Sequence, residues 1–224
     1  MEDERGGLVS DNATFARTLD TLKQEGSNIL LVGADAPEAH QMACQRLLGA
    51  TDRDSRYRLF VTGGETRVSC GRTDGASDER VRTIDYSNTR LDPDGTGEEE
   101  SAADGGLPSP GTIGVAIIEA IDELAETAEG FDPAELRVCV DSLVPLLQEH
   151  DAETMFRLLH VTTSRTDKAR GMGHYHLPIP VDHDAVNLFE PMFDAIVTVR
   201  SRDDRSEHQW FLRETETTTD WLEL

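Results

Sequence analysis

Lysine is almost missing from this 224-residue chain. Lys23 and Lys168 are the only two, and every other base is arginine. The bases total 21 against 44 Asp and Glu, a formal net charge of −23. So scarce a basic complement argues against direct binding to nucleic-acid phosphates, which needs basic patches. Cysteine is sparse as well. Cys44, Cys70 and Cys139 stand far apart and form no CxxC pair, so neither a zinc ribbon nor a disulfide framework is supported. Buried or free thiols in a reducing compartment are expected instead. No apolar run approaches the ~20 residues that cross a bilayer. The opening residues, Met1-Glu2-Asp3-Glu4-Arg5, lack the apolar region of a signal peptide. A soluble, cytoplasmic protein with no membrane contact is the expectation, and internal repeats are absent.

What is present is acid, spread along the whole chain rather than gathered in one tail. That pattern resembles the cytoplasmic proteins of salt-loving archaea, in which high salt screens the self-repulsion of an acidic surface. The length suits one sizeable α/β domain. Residues 1–24 read as a polar arm and a short helix, with Phe15, Leu19 and Leu22 on one side and Gly26 as the stop. Residues 25–224 read as a single domain.

Short apolar runs recur at Asn28–Gly33, Arg56–Thr62, Val81–Tyr86, Leu136–Val140, Gly171–Ile179 and Ala195–Arg200. Helical patterns separate most of them: about 38–48, 112–128, 152–168 and 184–193. The buried stripe of the third contains Met155, Phe156, Leu158, Leu159, Val161 and Thr162. Residues 88–111 are rich in Asp, Glu, Gly and Pro and read as a disordered acidic loop, either a salt-adapted insertion or a partner-binding segment. Gln209–Arg213 is expected to pair with the preceding strand in a hairpin around Asp203-Asp204. Alternation of this kind predicts an α/β fold, a three-layer αβα sandwich with a mostly parallel central sheet and a C-terminal antiparallel hairpin.

The run Leu136–Val140 ends in Asp141 and Ser142, at the strand end where open α/β sheets bind ligands. Asp141 is therefore a candidate magnesium-holding acid, or else a cap of the next helix assisted by Ser142. The turn after the first run, Gly33-Ala34-Asp35-Ala36-Pro37, has the strand–glycine–helix plan of a phosphate-binding loop. Its residues are wrong for that chemistry. The pattern GxxxxGK(S/T) begun at Gly33 needs Gly, Lys and a hydroxyl where Glu38, Ala39 and His40 stand. Asp35 and Glu38 put negative charge where a phosphate would lie. Glu65 follows the second strand as a possible catalytic acid, though an acid after Gly63-Gly64 is commonly just solvated. His174 and His176 share one face of their strand, and His183 with Asp182 or Asp184 lies nearby. Their spacing matches no tight ligand pattern, so no bound metal is expected from it. Ser142 lacks the GxSxG turn of a hydrolase nucleophile.

Taken in order, NILLVGA, RLFVTG, TIGVAIIEAIDEL, LRVCVDSLVPLL, TMFRLLHVTTSR, GMGHYHLP and FDAIVTVR resemble the RecA/KaiC-like branch of P-loop ATPases. They resemble most a haloarchaeal group whose Walker A loop has decayed. The likeness covers about residues 25–213. It implies a RecA-like fold, with Asp141 at the place of the Walker B acid and Glu65 loosely at that of acids after the second strand. It also implies that the strand near Phe193–Val199 leads toward a subunit neighbour. The loop lysine and hydroxyl are absent, so the activity does not carry over. The expected function is a non-catalytic pseudo-ATPase, a regulatory or signalling scaffold acting on a protein partner or as a homo-oligomer, with no cofactor. The alternative is a nucleotide binder or slow ATPase, using ATP and magnesium through Gly33, Asp35, Glu38, His40, Asp141 and Ser142, with a phosphate-binding residue supplied by a partner. DNA-associated regulation is a third reading and would need such a partner too.

Overall fold

The computed structural model describes residues 12–49, 56–63, 78–87 and 107–224. Most of the acidic segment, together with Glu65 and Cys70, lies outside these residues. The elements run α1 (Asn12–Glu25), β1 (Ser27–Val32), α2 (Pro37–Leu48), β2 (Tyr57–Thr62), β3 (Val81–Asp85), α3 (Pro110–Thr127), β4 (Leu136–Val140), α4 (Val144–Glu149), α5 (Ala152–Lys168), β5 (Met172–Leu177), α6 (Asp184–Phe189), β6 (Ala195–Arg202), β7 (Arg205–Leu212), β8 (Thr217–Thr218) and β9 (Leu222–Glu223).

The strands form one sheet in the order β3-β2-β4-β5-β1-β6-β7-β8, with β9 also on β7. From β3 through β6 all pairings are parallel, and β7 returns antiparallel to β6. Asp203 and Asp204, both at positive φ, make the tight turn of that hairpin, the backbone twist a two-residue link between strands favours. The expected αβα layering is present.

Alternation along each strand divides the sheet into two faces. Leu30, Val32, Leu59, Val61, Val138, Val140, Tyr175 and Leu177 face α3 and α5, where Ile113, Ile117, Ile121, Met155 and Leu159 complete the larger core. On the other face Ile29, Leu31, Val197 and Val199 meet Ala39 and Ala43 of α2, with Phe15, Leu19 and Leu22 of α1 packed against them. Burying each of the larger aliphatic side chains contributes about 1.5–3 kcal/mol, so both faces hold the sheet.

Two expectations about helices need correction. Phe156 and Val161 are 44% and 38% exposed, whereas Met155, Leu158, Leu159, Thr162 and Thr166 are buried. At 100° per residue, positions 156 and 161 fall off the stripe that 155, 158, 159, 162 and 166 define. The second helical pattern, about 112–128, also begins earlier than expected. Ser109 caps α3 by accepting from the Thr112 N–H, and Pro110 opens the helix. Residues 109–111 thus belong to this start and not to the acidic segment.

Candidate functional site

The strand carboxyl ends and the turn that follows β1 come first. Between Val32 and Pro37 the chain has only Gly33-Ala34-Asp35-Ala36. Gly33 lies at φ +140, and a Cβ there would come within 2.2 Å of the Val199 carbonyl oxygen on β6. Its N–H donates to the Ile179 carbonyl oxygen at 3.0 Å. Its own carbonyl lies 2.9 Å from His40 Nε2. Asp35 turns the chain in the left-handed region at φ 54. Ala36 provides no side-chain cap, and Pro37 at the first turn has no N–H to offer. Glu38 stands in that same turn, where a carboxylate satisfies the positive end of the helix dipole.

His40 is 1% exposed and lies under the turn rather than in a groove. Burial lowers its pKa, against an opposing effect of the Gly33 carbonyl, so the ring is neutral.

β5 separates β1 from β4, and Asp141 and Ser142 follow β4. Asp141 is 2% exposed, and its N–H donates to the Val61 carbonyl at 2.9 Å. It does not cap the next helix: Leu143 occupies the cap of α4, with no side-chain bond. Ser142 alone keeps part of that expected role, accepting from the Val144 N–H at 3.2 Å. The Ser142 carbonyl accepts from the Tyr86 hydroxyl at 3.0 Å. Burial, then the charges of Asp141 and Asp85, push the Tyr86 hydroxyl pKa up. Gly33 and Asp141 therefore flank the carboxyl end of β5 on neighbouring strands.

The second concentration of chemistry sits behind that end, between α2 and the sheet. Cys139 on β4 and His174 on β5 are register partners, and His176 follows on the same face. Cys44 of α2 projects onto them. Its Sγ is 3.7 Å from Cys139 Sγ and 3.3 Å from His174 Nε2. One potential ligand atom from each of Cys44, Cys139, His174 and His176 falls within 4.8 Å of every other. All four residues are buried. Burial holds His174 neutral, lowering its pKa to about 3 with help from Arg137, and lowers His176 well below its ordinary value. Burial, then Asp141, raises the Cys139 thiol. Cys44 is disulfide-bonded, whereas Cys139 is free and buried, so the expectation of buried or free thiols holds for Cys139 and is corrected at Cys44.

His183 is not part of this group. It caps α6, its Nδ1 accepting from the Ala185 N–H at 3.1 Å. The strand ends at Leu177, so Pro178 and Pro180 carry the chain away before His183 is reached. The expected trio thus splits. His174 and His176 gather Cys44 and Cys139, which spacing in sequence did not link to them. The available signal was polarity inside strands that are buried on both faces: Cys139, His174 and His176 interrupt otherwise apolar runs.

At the opposite end of the strands, Lys23, Arg46, Arg56 and Arg137 line a cavity of about 300 Å³ beside Trp210. Burial, then Arg56 and Arg58, lowers the Arg137 pKa to about 10. Its Nη1 donates to the Leu47 carbonyl at 3.0 Å. Among the described residues no helix is long and apolar enough to cross a membrane.

The fold is RecA/KaiC-like. It is similar to the crystal structure of a KaiC-like protein from the hyperthermophilic archaeon Pyrococcus horikoshii, with a TM-score of 0.50 over 89% of this chain and 82% of that one. Sequence identity is 11%, so this likeness concerns the fold alone. Among curated proteins none is significantly similar. Residues 26–199 match a family of unknown function, DUF7504, and the chain belongs to that family.

Proposed function

We propose that this chain is a non-catalytic pseudo-ATPase: a RecA/KaiC-like domain of a halophilic archaeon that serves as a regulatory or signalling scaffold for a protein partner or for further copies of itself. The observation that carries the reading is the closed turn after β1. A triphosphate grip needs free backbone N–H groups and a lysine. The Gly33 N–H is already bonded to Ile179, and its carbonyl is held by His40. Glu38, Ala39 and His40 stand where the grip would need glycine, lysine and a hydroxyl. Asp35 and Glu38 repel a phosphate in addition.

The competing reading, a nucleotide binder or slow ATPase completed by a partner's cation, has one observation in its favour. Asp141 stands buried after β4, with β5 alone between that strand and β1.

Ligand at free concentration L that binds the native state stabilises it by RT ln(1 + L/Kd) and so raises its melting temperature. The pseudo-ATPase reading expects no shift in Tm with millimolar ATP and magnesium in molar potassium chloride. A concentration-dependent rise with ATP, absent with magnesium alone, favours the competing reading and removes this one.

A further inference from the structure

We propose that Cys44, Cys139, His174 and His176 form a closed site for one zinc-class divalent metal ion, which staples α2 to the centre of the sheet. The inference goes beyond the pseudo-ATPase reading and does not depend on it.

The distances come first. Zinc bonds of about 2.3 Å to sulfur and about 2.0–2.1 Å to nitrogen imply, at tetrahedral angles, edges of about 3.8 Å between two sulfurs and about 3.6 Å between sulfur and nitrogen. The corresponding separations are 3.7 Å for Cys44 to Cys139 and 3.3 Å for Cys44 to His174. All four donors come together within 4.8 Å although α2, β4 and β5 supply them from distant parts of the chain.

Second, the proton positions leave a lone-pair acceptor unmet. His40 Nε2 faces the Gly33 carbonyl oxygen at 2.9 Å, which can only accept, so Nε2 carries the proton. The Nδ1 of a neutral His40 is then an acceptor. His176 Nδ1 lies 3.1 Å from it and must donate. His176 Nε2 is thereby a bare lone pair, on a ring that is fully buried, and it has no hydrogen-bond partner among the described residues. An imidazole whose other nitrogen is fixed by a hydrogen bond is the usual arrangement of a metal-bound histidine. His40 is the positioning residue here, and its bond to Gly33 ties the site to the turn after β1.

Third, the donor set suits its surroundings. Two thiolates and two neutral imidazoles leave a divalent ion with no net charge, as a buried site requires. Sulfur and imidazole select zinc and its neighbours over magnesium or calcium, and four protein ligands leave no open position for catalysis.

The site belongs to the reduced chain. Thiol–disulfide exchange with a dithiol passes two electrons and two protons to the Cys44 disulfide, giving two protein thiols and an oxidised dithiol. Metal binding then displaces one proton each from Cys44 and Cys139.

The test uses the full chain, reduced with a phosphine, stripped by a chelator and titrated anaerobically with cobalt(II) in molar potassium chloride. The expected result is saturation at one cobalt per chain, with thiolate-to-cobalt charge transfer in the near ultraviolet and the intense visible bands of a tetrahedral ion. One equivalent of zinc should bleach them. His40→Ala should weaken cobalt binding by about 10–100-fold while keeping the tetrahedral spectrum, as loss of an outer hydrogen-bond partner does. Cys139→Ser should reduce the charge-transfer band, and His183→Ala should change nothing. A pale octahedral spectrum, no uptake by the reduced wild-type chain, or undiminished bands in Cys139→Ser would overturn the site. Should a core variant fail to fold, the wild-type spectrum decides by itself.

Discussion

At Gly33 a residue that phosphate loops keep for one reason is present for another. In a working loop the missing side chain lets backbone approach phosphate. Here it lets the turn press against the Val199 carbonyl, with 2.2 Å left for any Cβ. Gly33→Ala should therefore destabilise the fold by about 2–4 kcal/mol, the combined effect of a strained φ and an overpacked contact. Chemical denaturation measures this, and a neutral result would remove the close approach from the account. A second residue tests a part-buried network at the other end of β1. Asn28 donates from its backbone to Asp194 at 2.7 Å and from its amide to Asp167 at 2.6 Å, and Tyr175 donates to the Asn28 side-chain oxygen at 3.0 Å. Burial, then the Asp194 charge, pushes the Asp167 carboxyl up to about 6, with the Asn28 bond acting the other way. A native pKa raised above the unfolded value means that ionisation works against the fold. The penalty is absent below about pH 4, grows as pH rises through about 6, and is complete at neutral pH. Asp167→Asn should raise Tm by about 1–3 °C at pH 7.5, a discounted effect because the carboxyl is partly solvated, and by nothing near pH 4. A gain that is constant across this range would contradict the assignment.

Among the elements, α3 shows what a cap contributes. Removing the Ser109 hydroxyl in Ser109→Ala leaves the Thr112 N–H without its acceptor, at a cost of about 1 kcal/mol. For a chain of this size that lowers Tm by about 2–4 °C in a thermal melt, and an unchanged Tm would argue against the cap. This start was legible only in part. The apolar pattern located the helix from Ile113 onward, whereas Ser109-Pro110 reads equally well as the end of a Gly- and Pro-rich segment until the capping bond is seen. Runs such as Asn28–Val32 and Ala195–Val199 were plain, because parallel strands buried on both faces are apolar at nearly every position. The side-chain cluster was not. Cys139 and His174 become neighbours through the register of β4 on β5, and Cys44 joins only once α2 lies across both. Neither relation follows from spacing along a chain. The turn at residues 33–40 was the opposite case: its mismatch to a phosphate loop was visible in residue types alone, while the His40–Gly33 bond that closes it was not.

On the scale of the whole molecule, acid content and layered fold act together. A net charge of −23 on a RecA/KaiC-like domain repels itself wherever counterions do not screen it. Lowering potassium chloride from about 3 M to about 0.1 M stretches the screening length to about 10 Å and should lower Tm by on the order of 10 °C. A melting temperature indifferent to salt would argue against the halophilic reading. The order of the strands was not readable from sequence, but it matters for function, because it sets Gly33 and Asp141 on either side of β5. That is where a nucleotide would be sought in this architecture. The account holds that the architecture persists there without the grip. A crystal structure of the chain grown with magnesium and a non-hydrolysable ATP analogue tests this most directly. The prediction is no ordered phosphate at residues 33–40, with the His40–Gly33 bond intact. Ordered phosphates against the backbone amides of residues 34–40 would contradict it.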